Sequence, residues 1–140
     1  MSDAFGVEDD GSGRAALDIA GQAVRAFNHR TVARFDTHRR SGWNHVPDAY
    51  RVLGELKYLT SSLRQVIEHM NGALQHSLDD GHVGADIGSD YEGKPEEAIA
   101  KARAALTHAE ANAESMYSAF ETAQGLISRI HYTGPDLGDD

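Results

Sequence analysis

The residues that could do chemistry in this chain are its eight histidines. His69 and His76 stand seven apart, so on a helix they share one side. His76 and Asp80 stand four apart, a spacing that can chelate a divalent ion. Helical di-metal bundles add a Glu-x-x-His motif, and no glutamate here has a histidine three residues on. His-Glu-x-x-His is absent as well. The acidic segment "GHVGADIGSDYEGK" lacks the alternating Asp spacing that aims several oxygens at one calcium. No Gly-x-Ser-x-Gly occurs, and the Gly-x-x-x-x-Gly-Lys of residues 88–94 is followed by Pro95 where a phosphate loop needs Ser or Thr, so neither a nucleophile elbow nor a complete phosphate loop is encoded. We therefore expect no catalytic residues, no metal site and no cofactor, and the chain reads as a non-enzyme.

A second constellation is basic. Arg25, Arg30, Arg34, Arg39 and Arg40 cluster with His29, His38 and His45, against Asp36 alone. With Phe35 and Trp43 this segment has the makings of a nucleic-acid contact, arginine on phosphate and ring on base. Arg30, Arg34, Arg39, Arg40 and Trp43 are the residues such a contact, or a protein partner, would use. The competing reading makes 29–46 a connecting segment, with Trp43 and Val46 clasping the start of a helix. That clasp is the expectation.

The elements that must position these residues are helical. Leu17, Ala20, Val24 and Phe27 keep a 3-4-3 spacing, which predicts a first helix over about 13–28, capped by Ser12. The apolar residues Val32 and Phe35 fall off that register, which predicts an end near Asn28. Pro47 suits a first helical turn and opens a heptad pattern predicting a helix over 47–80. Its columns are Ala49, Leu56, Leu63, Met70; Val52, Leu59, Val66, Ala73; and Leu53, Thr60, Ile67, Leu74. Residues 81–94 hold four glycines and read as a loop. Pro95, Glu96 and Glu97 then open an alanine-rich helix predicted over 95–132.

The fold class expected is all-α: an antiparallel hairpin of two long helices with the shorter first helix packed on it. One domain spanning 13–132 is expected, between acidic tails at 1–12 and 133–140 whose composition predicts disorder. The expected core is Leu56, Leu59, Leu63, Val66, Ile67 and Met70 on the second helix. On the third it is Leu106, Met116, Phe120 and Ile127. Leu63 is expected to be fully buried against the third helix.

The chain has 140 residues, no cysteine and a formal charge of −9. Disulfides and thiolate metal sites are excluded. The acids gather in the two tails and in the 79–92 stretch, so the charge is a property of those segments. No apolar run approaches the roughly 20 residues that span a bilayer, and "MSDAFGVEDDGSGR" is unlike a signal peptide. A cytoplasmic location and no membrane contact are expected.

"SGWNHVPDAYRVLGEL" followed by "GHVGADIGSDYEGKPEEA" resembles a group of small all-helical actinobacterial proteins of unknown function. The group's pattern is Gly-Trp-x-x-Pro-x-Asp-Ala-Tyr, approximated here by "GWNHVPDAY"; Asn28, His29 and Thr31 also look similar. The resemblance implies a helical fold and carries no activity. A third reading comes from helical hairpins of type VII secretion. Their Tyr-x-x-x-Asp/Glu motif is matched by Tyr117…Glu121 and Tyr132…Asp136, while their Trp-x-Gly turn is missing.

The function these features point to is a helical interaction module that self-associates as a homodimer or larger oligomer. A wide apolar stripe on two long helices has no convergent polar pocket beside it. The alternatives are a nucleic-acid-binding accessory protein using 25–45 and a secreted type VII hairpin.

Overall fold

A computed structural model describes residues 13–35, 45–131 and 133 of the chain. Three helices are present: α1 (Arg14–Phe35), α2 (His45–Asp79) and α3 (Pro95–Ile127). The chain divides into two units, with α1 in one and the α2–α3 hairpin in the other. Both expected tails, and the expected cap Ser12, lie outside the described residues.

α1 begins where predicted, with Leu17 N–H donating to Gly13 O at 3.2 Å. It does not stop near Asn28 but runs on to Phe35. The expected end rested on a lapse in apolar register. Residues 29–35 contain neither glycine nor proline, and a helix continues through good formers such as Arg and Ala until something breaks it.

α2 starts two residues before Pro47, which sits in the first turn where its missing N–H leaves no bond unmade. Asp48 in that turn complements the positive helix end. At the other end Gly81 adopts φ 70°, the left-handed conformation that closes helices. Its N–H donates to Leu78 O at 3.0 Å, and Asp80 N–H donates to His76 O at 3.0 Å.

The connection 80–94 is built from turns. Gly88 N–H donates to Glu92 Oε2 at 2.8 Å, and Lys94 N–H donates to Tyr91 O at 2.8 Å. Tyr91 is held from α3: Lys101 Nζ donates to its hydroxyl at 3.4 Å and lies 5.1 Å from its ring centroid.

α3 starts at Pro95 as predicted, with Glu96 and Glu97 in its first turn. It ends at Ile127, short of the expected 132. Gly125 weakens the last turn. Ser128 Oγ donates to Gly125 O at 2.7 Å, and Ile130 N–H donates to Ile127 O at 3.0 Å, so a tight turn replaces the helix.

α2 and α3 lie against each other along their length, which makes them the expected long hairpin. Burial in it is sparse. Among the described residues only Ala113, 7% exposed, and Thr60, 4% exposed, are fully buried. Ala113 lets the two backbones approach, and Thr60 Oγ1 satisfies itself by donating to Leu56 O at 2.7 Å.

Candidate interaction site on the helical hairpin

One side of the α2–α3 seam is crossed by polar bonds. Lys57 Nζ lies 3.5 Å from Glu121 Oε1 and donates to Gln124 Oε1 at 3.3 Å. Arg64 Nη1 donates to Glu114 Oε2 at 2.5 Å. Arg103 donates from Nη1 to Gln75 Oε1. Gln124 Nε2 donates to Tyr50 O at 3.1 Å. The hydrogen bond and charge of Glu114, helped by Glu68, raise the Arg64 pKa above its ordinary value. Glu97, with Tyr91, does the same for Lys101.

These bonds place the seam. On α2 it follows the column Leu53, Thr60, Ile67, Leu74 and the neighbouring Lys57, Arg64 and Asn71, all buried or half-buried. On α3 it follows Leu106, Ala113, Tyr117, Phe120 and Gln124. The apolar columns are centred elsewhere. At about 100° per residue, Leu63 and Met70 point roughly 80–100° away from Asn71, on the side opposite Lys57.

The expected core is corrected accordingly. Leu56, Leu59, Val66, Ile67, Leu106, Phe120 and Ile127 are half-buried. Leu63, Met70 and Met116 are 42%, 50% and 49% exposed. Leu63 is therefore not sealed against α3. The reason is that α3 meets α2 on the polar edge of its apolar stripe, where the charged pairs form, and leaves the middle of the stripe open.

What sequence reasoning missed is this polar edge. Its signal was present: Lys57 and Arg64 are a heptad apart, as are Glu114 and Glu121, which suits two antiparallel helices. Asn71 Oδ1 and Arg103 Nε are shielded from water there, with no hydrogen-bond partner among the described residues.

The opposite side of the hairpin carries Val52, Leu56, Leu59, Leu63 and Met70 on α2. By the same rotation, α3 sets Ala102, Ala105, Ala109, Met116 and Ala123 beside them. From Ala49 to Ser77 this stripe of α2 holds no charged residue.

The remaining candidates do not converge. His76 Nε2 is 3.5 Å from Asp80 Oδ2, and no third metal-binding side chain joins them among the described residues. A cleft of about 240 Å³ on the hairpin is lined by Thr60, Ser61, Arg64, Ala113, Glu114 and Tyr117, and its charges already pair with each other. Tyr117 holds Lys57 Nζ at 5.5 Å from its ring centroid. Tyr132 and Asp136 of the other secretion-type match lie outside the described residues. Arg39, Arg40 and Trp43 of the basic segment lie outside them too, as do the side chains of Arg30 and Arg34 in α1. No helix among the described residues is long and apolar enough to cross a membrane. No protein-family model matches the chain, and no curated protein or solved structure matches it either.

Proposed function

We propose that the chain is a non-enzymatic helical module whose role is self-association through the apolar side of the α2–α3 hairpin. The observation that carries this reading is the exposure of Leu63, Met70 and Met116 beside a hairpin with two fully buried residues among those described. Two helices alone seldom shield enough apolar surface to be stable, so a stripe of this length calls for a cover. A cytoplasmic setting and kinship with the small actinobacterial helical proteins accompany the proposal, supported by composition and by the Gly-Trp and Gly/Asp segments. Light scattering at micromolar concentration tests it. The expected mass is at least twice 15.2 kDa. A mass of one chain, unchanged on concentration, would overturn the reading and assign the stripe to the chain's own residues.

A further inference from the structure

Self-association leaves open how two copies meet. The apolar side is built from unlike halves. α2 contributes bulky residues, Leu56, Leu63 and Met70, at heptad spacing. α3 contributes Ala102, Ala105 and Ala109 toward its start and Ala119 and Ala123 beyond Met116. A ridge of large side chains therefore lies beside a groove of small ones.

The cross-helix bonds fix which parts of ridge and groove are level. Lys57 is level with Glu121, Arg64 with Glu114 and Gln75 with Arg103. Interpolating, Met70 is level with Ala109, and Leu56 with the stretch Ala119–Ala123. Leu63 is level with Met116, and on either side of that central pair Met70 and Leu56 stand level with the smallest residues of the groove.

From this we infer that the occupant of the apolar side is a second copy of the chain, seated with its α3 on the first copy's α2 and its α2 on the first copy's α3. The inference rests on the self-association proposed above and adds its geometry. The two-fold axis runs parallel to the helices, so levels are preserved between copies. Met70 of each copy enters the other's Ala105–Ala109 groove, and Leu56 enters the Ala119–Ala123 groove. Each helix then has antiparallel neighbours, as in a four-helix bundle, and large residues face small ones on both sides of a central Leu63–Met116 contact. The alternative two-fold, perpendicular to the helices, sets α2 on α2 and α3 on α3. It stacks leucine on leucine and leaves the alanines facing a gap.

Size agrees with the assignment. The charge-free stripe is about 42 Å long at 1.5 Å per residue, and two adjacent helices are about 20 Å wide. The face is then about 840 Å² per copy, close to the roughly 800 Å² per partner of a stable interface. The rival occupant is α1, whose 22 residues reach about 33 Å. It would fall short of the stripe and has only one helix to fill the groove.

The two arrangements differ in where the 80–94 connections lie: together at one end, or at opposite ends. The chain has no cysteine, so Ser89→Cys on the exposed connection accepts a single spin label per copy. Double electron–electron resonance on the full-length labelled protein should give one distance of about 20–40 Å, the width of a four-helix bundle with its labels. A distance of about 50 Å or more, near the length of α2, would overturn this arrangement and leave self-association standing. Loss of the dipolar signal, with a single-chain mass in light scattering, would overturn both.

Discussion

Arg64 on α2 and Glu114 on α3 form a 2.5 Å bond that sets the register of the hairpin. One heptad back along α2 and one heptad on along α3 brings Lys57 to Glu121. Eleven residues the other way brings Gln75 to Arg103. Three rungs at matching intervals hold one alignment, and a slip of even one residue would part all of them.

The bond's net worth is small, because both side chains are well exposed, 41% and 59%. A double-mutant cycle on Arg64→Ala and Glu114→Ala should give only a weak coupling that shrinks further as salt is added. Thermal melts of the four proteins measure it. A strong coupling that salt leaves unchanged would mean that the pair is dry, contrary to its exposure.

Asn71 should behave the opposite way. Its Oδ1 is shielded in the seam with no hydrogen-bond partner among the described residues. Asn71→Leu removes that penalty and should stabilise the hairpin by about 1–3 kcal/mol in urea denaturation. A destabilised variant would show that the carbonyl is satisfied in solution.

Two glycines make a matched pair. Gly81 has φ 70° at the end of α2, so Gly81→Ala should cost about 1–2 kcal/mol. Gly72 lies inside α2 with nothing within 4 Å of an added Cβ. Gly72→Ala should gain about 0.8–1 kcal/mol from helix propensity. The two melting shifts should have opposite signs.

The helices were legible in the sequence because Pro47, Pro95 and the glycines of 81–94 punctuate it sharply. The hairpin pairing followed from heptads on either side of one loop. The ends of α1 and α3 were not legible, since each depends on a local hydrogen bond or on the mere lack of a breaker. The rotation of α2 against α3 was also hidden. Apolar periodicity shows where a stripe is, and here Lys57 and Arg64, charged residues at its edge, decide which part of it α3 meets.

The exposed part of the stripe should be where association is lost. Replacing Leu63 and Met70 together by serine should abolish the dimer in light scattering while far-UV circular dichroism still reports helix. Both side chains are half exposed, so their removal opens no cavity between α2 and α3. An unchanged dimer would move the interface elsewhere.

Tyr91 ties the connection to α3 through Lys101. Tyr91→Ala should speed amide hydrogen exchange at 86–94 and leave the middle of α2 unaffected. Equal acceleration throughout would mean that connection and helices open as one unit.

The order of the three rungs along the hairpin has a kinetic consequence. Gln75 and Arg103 are the rung nearest the connection, so the loop that must close before they meet is the shortest. Arg64–Glu114 closes a longer one, and Lys57–Glu121 a longer one still. Assembly is therefore expected to run as a zipper from the 80–94 end, each rung shortening the search for the next. Such local ordering belongs to the microsecond-to-millisecond regime of helical proteins, with docking of a second copy as a slower, concentration-dependent step. The free ends of α2 and α3, farthest from the connection, would be the last to join and the first to fray.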